Sequence, residues 1–97
     1  MVYFLTVKSR QGFLLHDCEK CDTLDAALEI VSANYLTDCS VPFWWSGYFA
    51  LRSGENTRLY LTRRTAGFYL RGDIELIEIL SERGLLEVRT YGAAPSD

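Results

Sequence analysis

The residues with the most chemistry stand together at His16-Asp17-Cys18-Glu19-Lys20-Cys21, and a third cysteine follows at Cys39. Three thiols and the single histidine are the ligand types of a Cys₃His zinc site, and Cys-x-x-Cys has knuckle spacing. The residues between them argue against that reading. Thr23 to Leu36 has the spacing of one continuous helix, which spans roughly 20 Å at about 1.5 Å per residue. Cys21 then stands at its start and Cys39 just past its end. A shared ion needs sulfurs about 2.3 Å away, and a disulfide needs Cα atoms within roughly 7 Å. Cys39 is therefore expected as a small buried hydrophobe, and no metal or other cofactor is expected. Cys18 and Cys21 remain as a thiol pair, but Asp17, Glu19, Asp22 and Asp25 surround them with negative charge that opposes thiolate formation.

Hydrolytic chemistry finds little support. His16 lies beside Asp17, but a triad also needs a nucleophile on a strained elbow, and no Gly-x-Ser-x-Gly is present. Ser9, Ser40 and Ser46 read as turn, cap and surface residues. Glu75, Glu78 and Glu82 fall at i, i+3 and i+7 and read as the solvated stripe of a helix. There is no glycine-rich phosphate loop. Arg71-Gly72-Asp73 reads as the approach to a helix N-cap. The chain is expected not to be an enzyme.

The stronger lead is a binding surface. Phe43 to Ser53 and Thr57 to Arg64 are rich in aromatic and β-prone residues, and Ser53-Gly54-Glu55-Asn56 has turn chemistry. Centring a hairpin on Glu55 pairs Arg52 with Arg58, Ala50 with Tyr60 and Tyr48 with Thr62. One face then carries Phe43, Trp45, Phe49, Leu51, Leu59 and Leu61 toward a core. The other gathers Trp44, Tyr48, Arg52, Arg58, Tyr60 and Arg64, residue types enriched at binding hot spots. All of its cations are Arg, which favours bidentate contact with carboxylate or phosphate. The competing arrangement has a second helix covering this face, with the arginines paired to Glu75, Glu78 and Glu82.

These residues must be positioned by few elements. Val2 to Lys8 and Phe13 to His16 read as strands joined by a turn at Ser9-Arg10-Gln11-Gly12. Asp22 and Thr23 compete as N-cap of a helix to about Leu36, with Leu24, Ala27, Leu28, Val31 and Tyr35 as its apolar stripe. After the central hairpin, Phe68-Tyr69-Leu70 reads as a short edge strand. Asp73 reads as the N-cap of a second helix with Ile74, Ile77 and Leu80 inside and Gly84 at its C′ position. Leu85 to Tyr91 reads as a last strand and Gly92 to Asp97 as a loose tail. The expected order is ββα–βββ–αβ, an α+β fold of two helices on a mainly antiparallel sheet.

Ninety-seven residues, 48% hydrophobic and 24% charged, suit one globular domain over 1–97. No apolar run reaches the eighteen or so residues of a membrane span, and the N-terminal segment reads as a strand rather than a signal peptide. A cytoplasmic protein with reduced thiols is expected. The net charge of −3 conceals three blocks. Asp17 to Asp38 holds six acids and Lys20, Arg52 to Arg71 five arginines and Glu55, and Asp73 to Glu87 five acids and Arg83. In size and make-up the chain resembles small proteins of phages and mobile elements, such as anti-CRISPR proteins and toxin-neutralising immunity proteins. The resemblance covers no motif and carries no residue across. It implies an inhibitor that binds a larger nucleic-acid-handling assembly. The alternatives are a single-stranded nucleic-acid-binding protein using the aromatic and arginine face, or an immunity protein.

Overall fold

The computed structural model describes residues 2–45 and 58–81. Strands β1 (Tyr3–Ser9) and β2 (Leu14–Cys21) form the expected hairpin. Gly12 takes φ +95°, a left-handed conformation that costs glycine little. Its N–H donates to the Ser9 carbonyl at 2.9 Å, and the Ser9 N–H donates to the Phe13 carbonyl at 2.8 Å. β2 runs on to Cys21, beyond the expected end at His16, so the histidine and cysteine cluster stands on a strand. The register slips between Leu5↔Glu19 and Val7↔His16, with Cys18 at φ +49°. This is a β-bulge, one extra residue in the left-handed region. The Cys18 N–H donates to Thr6 Oγ1 at 3.1 Å.

Helix α1 (Leu24–Asn34) follows at once. Thr23 wins the capping competition: its backbone is extended and its Oγ1 accepts from the Ala26 N–H at 3.1 Å. Ala27 and Val31 are buried, and Leu24, Leu28 and Tyr35 pack against the same core, as the spacing predicts.

The second expected helix is a strand. β4 (Ile74–Ser81) lies between β1 and β3 (Arg58–Thr62) in a four-stranded antiparallel sheet of order β2-β1-β4-β3. Leu5, Val7, Leu59, Leu61, Ile77 and Ile79 share the face that packs with α1. Glu78, opposite Thr6 and Tyr60, points to the other face and is also buried, so the solvated stripe expected of Glu75, Glu78 and Glu82 is overturned at Glu78. A central strand buried on both faces reads as a continuous apolar run, which periodicity alone does not separate from a buried helix. A register shift between Lys8↔Leu76 and Ser9↔Ile74 leaves Glu75 as the extra residue and turns Ile74 back into the core.

Other expectations also change. Residues 43–45 are helical, not extended, and Phe43 is 86% exposed rather than in the core. Arg63 and Arg64 leave the strand for a one-turn helix, α2 (Arg63–Ala66), capped by Thr62. Phe68 and Tyr69 lie in a turn, and only an isolated bridge from Leu70 to Leu36 remains of the expected edge strand. Cys39 is exposed at φ +62°, because the Asp38 carboxylate takes the Ser40 N–H at 3.0 Å and closes an Asx turn around it. Phe49, Leu51, the Glu55 turn, Glu82, Gly84 and the last strand and tail lie outside the described residues. The supported architecture is a small α+β domain with a four-stranded antiparallel sheet and few helices. None of the described helices is long and apolar enough to cross a membrane.

Candidate functional site

The six residues expected on one hairpin face do not share a strand face. Trp44 stands on the helical turn at 43–45 and is 43% exposed. Arg64 is exposed on α2. Arg58 and Tyr60 are on β3, opposite Leu80 and Glu78 in register, and Tyr60 is on the sheet face away from α1. Tyr60 is half-buried. Tyr48 and Arg52 lie outside the described residues. Strand alternation thus groups Tyr60 and Thr62, while Trp44 and Arg64 are placed by helical turns.

The aromatic run Phe43-Trp44-Trp45 is organised by that turn. Pro42 suits the start of a helical turn because its φ is preset and it has no N–H to satisfy. Its carbonyl accepts from the Trp45 N–H at 2.9 Å. Trp45 is then directed inward, 1% exposed, as a member of the buried core cluster. One inward anchor leaves Phe43 and Trp44 directed outward. The Trp45 indole Nε1–H is buried with no hydrogen-bond partner among the described residues.

A second constellation was not legible beforehand. His16 Nδ1 lies 2.7 Å from Glu19 Oε1, and its Nε2 lies 2.8 Å from Tyr35 Oη. In the Nδ1–H tautomer the ring donates to the Glu19 carboxylate and its Nε2 accepts from the Tyr35 hydroxyl. The two rings meet edge to face, with centroids 5.5 Å apart. The carboxylate partner is therefore Glu19 and not Asp17, because the bulge at Cys18 resets which residues can meet. Burial, helped by Glu19 and Asp73, pushes the Tyr35 phenol above its ordinary value. Such a hydroxyl is a poor nucleophile, and the trio is suited to clamping β2 onto the end of α1. Burial likewise raises the Cys21 thiol, with Glu19 and Asp22 adding to it. Among the described residues, no three of His, Cys, Asp and Glu form a group that could hold a metal ion.

Spacing alone carries no signal for the link from His16 to Tyr35, which joins a strand to a helix end. The exposed Phe43 had a signal that was outweighed: Pro42 at the head of the run favours a helical turn. Comparison with known proteins finds no matching family model, no matching characterised relative and no matching solved structure.

Proposed function

We propose that the chain is a non-catalytic binding module that docks on a larger nucleic-acid-handling assembly and occludes it. The supporting observation is the turn at 43–45, where a buried Trp45 displays Phe43 and Trp44 side by side at 86% and 43% exposure. Large aromatics held outward by a rigid anchor supply contact area at little entropic cost, which is what a docking hot spot needs. The cations from Arg52 to Arg71 in the sequence are all arginine, suited to carboxylates on a protein or phosphates beside it. The test is capture of a target assembly by the full chain, with and without nuclease. Phe43→Ala with Trp44→Ala should weaken capture at least tenfold while the melting temperature holds. Arg58→Glu with Arg64→Glu should do the same through like-charge repulsion. Unchanged capture by the aromatic double variant would remove the basis of the reading.

A further inference from the structure

Helix α1 has a second face that the core does not use. Ala27 and Val31 are buried in the core with Leu24, Leu28 and Tyr35 beside them, and Ala26 and Ala33 are exposed on the other side. The two alanines stand two turns apart, about 10.5 Å along the axis at 1.5 Å per residue. Between them lies a hollow of about 330 Å³, lined by Ala26, Glu29, Ile30, Ala33 and Asn34. Ile30 is half-buried against the core cluster, and the Asn34 amide donates to the Ile30 carbonyl at 2.9 Å, so both side chains are held in place.

Ala26, Glu29, Ile30 and Ala33 have the spacing i, i+3, i+4 and i+7, the four-residue hole that receives a side chain from a facing helix. A small molecule needs most of its surface enclosed, and one helix supplies only one wall. A facing helix brings the second wall, and alanine at both ends of the hole lets the two axes approach toward the short limit of about 8 Å. Charge narrows the partner further. Glu29 is on the rim, Asp25 stands one turn before it and Asp22 just ahead of the N-cap, all three exposed. None of these carboxylates forms an ion pair among the described residues. From Asp17 to Asp38 the one base is Lys20, exposed on β2, and the remaining acids Asp17, Glu19 and Asp38 add to the negative sign. α1 itself holds no Lys or Arg, so a second copy of it would set acids against acids. Phosphates and anionic lipids would meet the same repulsion.

We propose that this face of α1 docks a basic amphipathic helix of a protein partner. The partner helix seats a bulky apolar side chain between Ala26 and Ala33 and sets Lys or Arg over Glu29, Asp25 and Asp22. Helix-in-groove recognition reads apolar anchors at i, i+3, i+4 and i+7 of the ligand, and flanking charge sets its register and encounter. The surface uses neither Phe43 nor Trp44 and stands apart from the docking reading.

The test is fluorescence anisotropy of the full chain with a labelled synthetic helix of about 15 residues, leucine at i, i+3, i+4 and i+7 and lysine on the flanks. Two controls keep the length: one carries glutamate in place of lysine, and one scatters the leucines off a single face. The lysine helix should bind, and both controls should bind at least about tenfold more weakly. Ala33→Leu fills the hole and should weaken binding at least about tenfold, whereas Ala33→Ser leaves it open and should not. Glu29→Lys should slow association about tenfold and remove much of its salt dependence, because rim charges act on encounter. Both positions are exposed, so the melting temperature should hold. Phe43→Ala with Trp44→Ala should leave affinity for the lysine helix unchanged; a loss there would move the helix to the aromatic turn and overturn the proposal. No binding of the lysine helix at about 1 mM overturns it too. So does a silent Ala33→Leu, or either control binding as tightly as the lysine helix. A dimer of the chain in sedimentation that Ala33→Leu dissociates would make a second copy the occupant and overturn it as well.

Discussion

Trp44 and Trp45 are chain neighbours with opposite environments, and substituting each in turn tests the turn that displays the aromatic surface. Trp45 is 1% exposed, so Trp45→Ala should cost about 3–5 kcal/mol, the range for buried aromatic truncation. A chain of 97 residues has roughly 5–15 kcal/mol in all at about 0.05–0.15 per residue, so the loss approaches the lower bound of the whole. Trp44 is 43% exposed, and Trp44→Ala should cost less than about 1 kcal/mol. At about 4–8 °C per kcal/mol, these become a fall of at least about 12 °C against one of less than about 8 °C. Among the described residues the Nε1–H has no partner, which refines the expectation. A buried donor without a partner carries a penalty of about 1–3 kcal/mol, which Trp45→Phe removes along with part of the ring volume. Relief offsets cavity, and Trp45→Phe should cost under about 2 kcal/mol. Urea melts followed by far-UV circular dichroism measure all three without relying on tryptophan as the probe. A loss below about 1 kcal/mol for Trp45→Ala at unchanged m-value would refute the inward anchor. A Phe variant as costly as the Ala variant would refute the account of Nε1.

Two further outcomes follow from bonds in the described residues. Arg63→Gln removes the guanidinium bonds to the carbonyls of Arg71 and Ile74 and should destabilise by about 1.5–3 kcal/mol, the range for a charged hydrogen bond, with denaturant melts as the measurement. A neutral effect would mean that the turn into β4 holds without it. Stability should also fall in alkali, because Cys21 and Tyr35 are raised from ordinary values of 9.0 and 10.0. A raised value means that the folded chain holds the proton more tightly. The contribution is full below about pH 9 and is lost as pH climbs through and beyond 10. Urea midpoints from pH 7 upward should decline in that window, and Cys21→Ala with Tyr35→Phe should flatten the decline; a flat wild-type profile would contradict the assignment.

How much could be read from residue order depended on the range over which each feature is decided. The β1–β2 hairpin and α1 were legible because Gly12 in the turn, Thr23 at the cap and Ala27 and Val31 on one face are local signals. β4 was misread because Ile74, Ile77 and Leu80 sit at helical spacing while the same segment is rich in β-branched isoleucine. The choice is made by two neighbours far away in sequence, β1 and β3, which bury the strand on both faces. Alternation in β3 was correct for Leu59 and Leu61 and failed at Arg63, where the Thr62 side chain accepts from the Thr65 N–H and starts a helical turn. The pairing of His16 with Glu19 needed the bulge at Cys18, and a left-handed cysteine announces itself in no pattern.

The misread strand changes the electrostatics of the whole surface. An acidic helix over 73–83 would have laid Glu75, Glu78 and Glu82 against the arginines and neutralised them. As a strand, β4 instead sends Glu78 between Thr6 and Tyr60 within the sheet, where it is buried. Arg71 is then exposed at the sheet end with its Nε on the Leu36 carbonyl, and Arg63 is pinned on the backbone carbonyls of Ile74 and Arg71. The first-turn Asp25 of α1 lies at the far end of that helix, favourable to its dipole, while Arg71 meets the carbonyls at its C-terminal end. A chain of net charge −3 can therefore still place an acid and an arginine at the two ends of one helix, each where the backbone dipole stabilises it.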